Sequence, residues 1–379
     1  LAGLPLGAVA LVASGSTDPG TGSSSPSFTQ QGYVGKGPLN NATVFLDFDN
    51  DGIKDSNEPS ATTDADGYFT ITTTQSDYSI VAITDGGTID SSSGTVLDGI
   101  ILKATKDSTM VSPTTTLMKD SGLSAADVKT ILGLPDSYDP NTFNPYAAGA
   151  DATLALSIEK ANHKIVSTIN TFSGALEGSG ASATDAFTAS LEAFVEVISD
   201  KQTSSGTIDL TNTTELDLIK TKIQGKTITG VDSTSFNSLV ADTVTAIKNV
   251  NDKIETAADL TSSASKNIFS TTLVLKNQVK DAVAAEKGTS GSGSIDFTST
   301  SNVDTAASNS GPTDISLSSS SIDENESSLE IGTLTTTDTD QPGGTNFVYS
   351  LAAIAGTDYD SFTIDQNTGK LSLKQQANY

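Results

Sequence analysis

Residues 42–71 read ATVFLDFDNDGIKDSNEPSATTDADGYFTI, and their pattern predicts the fold of the first part of the chain. Short runs of β-branched and aromatic residues stand at its two ends, at 43–46 and 68–71, which is typical of β-strands. An acidic segment lies between them, and a second turn sequence, TDADG, follows at 63–67. The stretch therefore predicts antiparallel strands joined by acidic loops.

The acidic segment fits the pattern D-x-D-x-D-G-x5-E position by position. A calcium ion takes about six to eight oxygen ligands, and this spacing supplies carboxylates on alternate residues of a curled loop. Gly52 permits the sharp turn that such a loop needs. The predicted calcium ligands are the carboxylates of Asp47, Asp49, Asp51, Asp55 and Glu58 together with the backbone carbonyl of Ile53.

The alternative interpretation of the segment is a solvated acidic turn. Without a cation, five carboxylates within this loop would repel one another, which favours the calcium site. The flanking segments are predicted strands, whereas a sensor EF-hand opens two helices when it binds calcium. We therefore expect a structural ion rather than a regulatory one.

Residues 32–84, through the segment GYVGKGPLNNATVFLDFDNDGIKDSNEPSATTDADGYFTI, resemble the B-type repeats of bacterial surface adhesins and related carboxypeptidase-regulatory-like sandwiches. The resemblance implies an extracellular β-sandwich that calcium stiffens. Asp64 in the TDADG turn is a weaker candidate ligand, and a tight hairpin explains the same residues equally well.

The sequence predicts a multidomain α+β fold. Residues 28–118 are expected to form the small calcium-binding β-sandwich. From 119 to 288 the apolar residues recur at three- and four-residue spacing, which predicts a bundle of about six helices. Expected helix starts are Asp151, Thr184, Thr214 and Ser235.

Further segments of the middle region show a less specific resemblance to known proteins. VSPTTTLM at 111–118, and Leu134-Pro135 with Phe143-Asn-Pro145, resemble segments of large bacterial surface proteins that carry cadherin repeats. Residues 289–311 are rich in Gly, Ser, Thr and Asn and are predicted to be a linker, interrupted by a short apolar run at 295–297.

Residues 312–379 resemble a partial bacterial cadherin-type repeat, an Ig-like β-sandwich, through PTDISLSSSSIDENES, GTLTTTDTDQ and FTIDQNTGKLSL. The resemblance makes Glu324, Asp338 and Asp340 weak candidate calcium ligands, with ordinary acidic loop residues as the alternative. The preceding Asn309-Ser-Gly-Pro312 lacks the aspartates that complete such a site, and the last two strands of a seven-stranded repeat are missing. The sequence is thus expected to be either a fragment or a subunit that another chain completes.

Residues 1–27 comprise an apolar segment, LAGLPLGAVALVA at 1–13, and a flexible linker rich in Gly and Ser. The apolar segment is too short for a membrane span, which needs about 20 residues. It is interpreted as a processing remnant or an ordinary core strand, or alternatively as a tail that docks into a neighbouring subunit. Residues 6–13 are the candidate donor strand, which would make the protein a homo-oligomer or a polymer.

Composition excludes several classes of function. The chain has 46 acidic residues against 20 Lys and Arg, a formal net charge of −26 and no Cys. All 20 of the basic residues are lysine. Such a chain is repelled by nucleic-acid phosphate, and it has no thiol for catalysis or for disulfides. His163 is the only histidine. It is expected to be a solvated or partly packed helix residue, and no catalytic motif surrounds it, so the chain is predicted not to be an enzyme.

The sequence therefore predicts an extracellular or cell-surface bacterial protein that calcium stabilises. A self-assembling filament or surface-layer subunit with donor-strand exchange is the first hypothesis. A fragment of a cadherin-repeat adhesin is the alternative, and a secreted carbohydrate-active enzyme is the remote one.

Overall fold

The structure of the chain is a computed structural model. The described residues are 27–309, 314–323, 328–337, 347, 349, 351, 358–365 and 368–376. They contain both helices and small sheets, so the predicted mixed α+β composition is confirmed.

The first part of the described chain, which we call the β module, consists of short strands that end just before residue 112. They are β1 (Phe28–Val34), β2 (Leu39–Asn40), β3 (Thr43–Asp47), β4 (Ser60–Thr62), β5 (Tyr68–Thr73), β6 (Ser79–Ile83), β7 (Ile89–Asp90), β8 (Thr95–Val96), β9 (Ile101–Thr105) and β10 (Met110–Val111).

The strands of the β module form three small sheets. Their orders are β4-β3-β6-β9, β10-β1-β5 and β2-β7-β8. The pairing of β1 with β10 is parallel, and the other pairings are antiparallel. Strand β3 lies inside its sheet and is buried from Val44 to Asp47, so its apolar residues form part of the core.

Helices follow from residue 113 onward. They are α1 (Pro113–Ser121), α2 (Ala125–Leu132), α3 (Ala152–Ser179), α4 (Ala183–Ser204), α5 (Thr213–Gln224), α6 (Ser233–Glu255), α7 (Ser263–Gly288) and α8 (Thr300–Ser308). The predicted start at Asp151 is confirmed. The other three predicted starts are wrong, because Ser182, Asn212 and Asp232 cap the backbone N–H groups instead.

Helix α1 lies in a stretch for which the sequence predicted β-structure. Ser112 caps it, with its hydroxyl accepting from the backbone N–H of Thr115, and Pro113 occupies the first helical position. Both features favour a helix start although three β-branched threonines follow. Its residues 113–117 are buried, and Thr115 also donates to the Lys103 carbonyl of β9 at 2.8 Å. The helix is therefore part of the contact between strands and helices.

One hydrophobic core runs from the β module into the helices without interruption. It includes Leu102 of β9, Leu117 of α1, Ile169 of α3 and Phe194 of α4, all buried. The predicted boundary at 118 therefore does not separate two cores.

Helices α3 and α7 approach each other closely at two glycines. A Cβ on Gly174 would lie 2.7 Å from the Lys276 carbonyl oxygen, and a Cβ on Gly178 would lie 2.3 Å from that of Lys280. The absence of a side chain at both positions lets the two backbones touch.

The predicted linker at 289–311 is wrong for most of its length. Ile295, Phe297, Val303 and Ala307 are buried, and α8 packs on α7. The side-chain amide of Asn249 also donates to the carbonyls of Phe297 and Thr298 at 3.0 Å. The four apolar positions explain the packing, since they add a short amphipathic segment to the core.

The described residues from 314 onward form a third region, the C-terminal module. Its strands are β11 (Asp314–Leu317), β12 (Glu330–Thr337), β13 (Phe362–Ile364) and β14 (Lys370–Leu373), in the antiparallel order β11-β12-β14-β13. Within its described residues no apolar side chain is buried.

Among the helices of the described residues, none combines the length and the apolar character that crossing a bilayer requires.

Candidate metal centre

The acidic loop predicted from the sequence joins β3 to β4. These strands pair antiparallel, with Phe45 opposite Ser60, and the N–H of Leu46 donates to the Pro59 carbonyl at 3.1 Å. The pairing brings the two ends of the loop together. It thereby places Asp47, the last residue of β3, near Glu58, two residues before β4.

Asp47 organises the first half of the loop. Its side chain is 2% exposed. Oδ1 accepts from the N–H of Asn50 at 2.7 Å, and Oδ2 accepts from the N–H of Gly52 at 3.0 Å. Asn50 and Gly52 have φ values of 62° and 77°, the left-handed conformation that lets the backbone curl around the carboxylate.

Glu58 closes the second half of the loop. Its Oε1 accepts from the N–H of Phe48 at 2.7 Å, and its Oε2 accepts from the N–H of Asp55 at 2.9 Å. The residue is 5% exposed. Both of its oxygens are thus held toward the loop by backbone groups.

Three carboxylates converge in this loop. Asp47, Asp49 and Glu58 each offer one oxygen, and the three oxygens lie within 4.8 Å of one another. Asp49 is exposed, whereas the other two are buried. Carboxylate oxygens with this spacing can together hold a metal ion.

The other predicted ligands of the loop lie outside this group of three. Asp51 is exposed, and its Oδ1 accepts from the N–H of Ile53 at 2.7 Å. The Ile53 side chain is 65% exposed. Asp55 is exposed and contributes its backbone N–H to Glu58. The structure therefore gathers three of the five predicted carboxylates.

Two lysines from the neighbouring elements lie close to the acidic loop. Lys119 of α1 donates to the Asn50 side-chain oxygen at 2.9 Å. Lys103 of β9 lies beside Gly52 and forms an ion pair with Asp120 at 3.1 Å. These charges offset part of the negative potential of the loop.

Asp64 has a structural role in its own turn. Its Oδ1 accepts from the N–H of Asp66 at 3.0 Å and from that of Tyr68 at 2.9 Å. Asp64 is not one of the three acids whose carboxylate oxygens converge around Asp47. The hairpin interpretation therefore accounts for this residue.

The remaining predicted site residues, Glu324, Asp338 and Asp340, lie outside the described residues, as does the apolar segment at 6–13.

The expectation that His163 is solvated or partly packed is wrong. Its side chain is 0% exposed, and its ring stacks on Phe269 of α7 at a centroid distance of 4.0 Å. The reason is that α3 is surrounded by α4, α6 and α7, so it is buried on more faces than an amphipathic surface helix. Its neighbour Glu159, one helical turn earlier, is the sequence signal that points to a polar cluster in this helix.

Comparison of the chain with protein-family models, with curated protein sequences and with solved structures finds no match.

Proposed function

We propose that the chain is a calcium-stabilised structural protein of a bacterial cell surface that assembles with copies of itself and has no catalytic role. The observation that carries the proposal is the convergence of the Asp47, Asp49 and Glu58 oxygens within 4.8 Å at one end of a strand pair. Acids held this close by the backbone are stabilised by a cation that neutralises their mutual repulsion.

The position of the loop supports a stiffening role for the ion. Its two ends belong to strands that are already paired, and β3 also pairs with β6 along its length. No helix pair flanks the loop. Calcium binding here therefore cannot change an interhelical angle, as it does in a sensor EF-hand. In this proposal the β module is a small sandwich and the helices form a bundle packed against it.

The C-terminal module supports the self-assembly part of the proposal. A cavity of about 660 Å³ is lined there by the apolar side chains of Ile322, Ile331, Phe362 and Leu373 among polar neighbours. All four are only half-buried. We propose that this module is a cadherin-like sandwich, and that residues 6–13 of a second copy bind along this cavity as an added strand.

Asp49→Asn is expected to weaken calcium binding by at least about tenfold, or about 1.4 kcal/mol, since it removes one charged oxygen from the group of three. Glu58→Gln is expected to weaken it further, because this side chain is buried and both of its oxygens face the loop. Isothermal titration calorimetry of the full chain with calcium chloride after chelation measures both affinities.

Asp66→Asn is the matched control for this titration, because Asp66 is an exposed acid in a neighbouring turn outside the group. It is expected to bind calcium as the parent chain does. The proposal would be contradicted if the parent chain did not bind calcium, or if the parent chain and both loop variants bound it equally. The titration of Asp51→Asn shows whether the ligand set extends to the sequence-predicted Asp51.

A further inference from the structure

Strands β1 and β5 turn one side toward the core and the other toward solvent. Residues alternate along both strands, and those on the inner side, such as Val34 and Phe69, are buried. The positions between them are exposed or half-buried. We call these outward residues the outer face: Thr29, Gln31 and Tyr33 of β1 with Tyr68, Thr70 and Thr72 of β5.

The register of the two strands arranges the outer face in three rows. Tyr33 lies opposite Tyr68, Gln31 opposite Thr70, and Thr29 opposite Thr72. Directly opposed side chains of an antiparallel pair have their Cβ atoms about 4.5–5.5 Å apart, and rows on one face are about 7 Å apart along the strand. The outer face is therefore a continuous patch about 14 Å long, which has room for an extended ligand.

One end of the outer face is aromatic. The rings of Tyr33 and Tyr68 lie with their centroids 5.2 Å apart and their planes tilted by 58°. Both side chains are half-buried, so each residue keeps part of its surface in solvent. Residues 144–146 line a small cavity together with Tyr33, which places the loop before α3 beside this end of the face. A tyrosine pair of this kind offers apolar ring surface and hydroxyl groups together.

Hydrogen bonds hold the middle of the outer face in place. The hydroxyl of Thr70 donates to the Tyr68 hydroxyl oxygen at 3.0 Å, and the Tyr68 hydroxyl donates to Oε1 of Gln31 at 3.1 Å. Within the described residues the side-chain N–H groups of Gln31 have no acceptor, so they are available as donors at the surface. Side chains that are ordered before a ligand arrives lose less conformational entropy when they bind it.

The outer face carries no charged residue, although the chain has a formal net charge of −26. The acids closest to it in sequence are Asp64 and Asp66 in the turn before β5, and Asp66 lines the small cavity beside Tyr33. An anionic ligand would be repelled by these acids, and a cationic ligand finds no carboxylate among the six outward residues. The charges of this surface therefore complement a neutral, polar ligand.

A polysaccharide fits this combination of groups better than a second protein does. The outer face has no aliphatic side chain, whereas the buried centre of a protein–protein interface is largely apolar. Sugar hydroxyls both donate and accept, so they pair with the hydroxyls of Thr29 and Thr72 and with the Gln31 amide. The C–H side of a sugar ring is apolar and can lie on a tyrosine ring.

We propose that the outer face binds a neutral polysaccharide, with sugar rings packed on Tyr33 and Tyr68 and sugar hydroxyls bonded to Gln31 and the threonines. The proposal rests on the strand register, the contact of the two rings and the lack of charge. Binding of this kind attaches the chain to a polysaccharide matrix and breaks no bond. It depends neither on the calcium site nor on self-assembly.

Affinity electrophoresis of the full chain tests the proposal directly. Native gels are cast with dextran, mannan or hydroxyethylcellulose, which are neutral, and a further gel with the anionic polysaccharide alginate. All gels contain EGTA, so that calcium binding does not affect the result. We expect at least one neutral polysaccharide to slow migration in proportion to its concentration, whereas alginate leaves migration unchanged.

Tyr68→Ala removes one ring and is expected to raise the dissociation constant for the retarding polysaccharide by about fivefold or more, the usual worth of an aromatic contact. Gln31→Ala, at an exposed position, removes an amide and is expected to raise it by about threefold. Tyr359→Ala is the matched control, because Tyr359 is a half-buried tyrosine of the C-terminal module. It is expected to migrate as the parent chain does.

The proposal is overturned if none of the three neutral polysaccharides slows the parent chain, or if alginate alone does. It is equally overturned if Tyr68→Ala and Gln31→Ala are both retarded as strongly as the parent chain. Circular dichroism of each variant shows whether the fold is kept. Should the Tyr68 variant unfold, the exposed Gln31 position carries the test by itself.

Discussion

Phe269→Ala is expected to lower the free energy of unfolding by about 3–5 kcal/mol, the usual cost of removing a buried phenylalanine. Phe269 is 0% exposed and lies flat on His163 of α3, with an angle of 11° between the ring planes. Its removal leaves a cavity beside buried polar groups that the surrounding helices cannot close easily. Urea unfolding followed by circular dichroism measures the change.

Val274→Ala in the same helix is the matched control. Val274 is 39% exposed, so its truncation is expected to change stability by no more than about 0.5 kcal/mol. Because the β module and the helices share one core, we expect the signals of both to be lost together in the Phe269 variant. Equal stability of the two variants would contradict the packing described for α3 and α7.

Gly178→Ala is expected to destabilise the chain by about 2–3 kcal/mol. The higher helix propensity of alanine by itself stabilises the helix by up to about 1 kcal/mol relative to glycine. The added Cβ would, however, lie 2.3 Å from the Lys280 carbonyl oxygen and 3.0 Å from Cβ of Val283, so α7 must move. A backbone contact cannot relax by rotating a side chain, and the steric term therefore outweighs the helical preference.

The control for this substitution is Gly288→Ala at the end of α7, where a Cβ meets no atom within 4 Å. It is expected to leave stability unchanged or to raise it slightly. Thermal unfolding of the two variants beside the parent chain gives the comparison. A Gly178 variant as stable as the parent chain would show that the two helices are farther apart than described.

Much of the secondary structure follows from local pattern. Strand β6 ends with its apolar run at 80–83, and the buried face of α6 includes Phe236 and Val240, which are four residues apart. Local sequence does not fix the helix starts near Thr184 and Ser235, because each lies among several Ser, Thr and Asp residues that can cap a helix. Only the actual backbone geometry selects one of them.

The tertiary features were not predictable from periodicity. Helix α1 forms because Ser112 and Pro113 start it and because its threonines find partners on β9, a contact that local propensity does not contain. The burial of Lys36 and His163 depends on residues far apart in sequence, including Asp90. Polar side chains in such a core are recognised only when the fold brings their partners to them.

The candidate site was predictable from the sequence only in part. The spacing of the acidic loop correctly points to Asp47, Asp49 and Glu58 as neighbours. The strand pairing at the loop ends decides which carboxylates converge, and it leaves Asp51 and Asp55 in solvent. Spacing alone does not distinguish these two groups of acids.

The central claim, a calcium-stabilised subunit that assembles with its own copies, is tested most directly by electron microscopy of the purified full chain in calcium and in EGTA. We expect regular filaments or sheets in calcium that come apart in EGTA, and none from a chain that lacks residues 1–14. Monodisperse particles in both conditions, or filaments from the shortened chain, would contradict the claim.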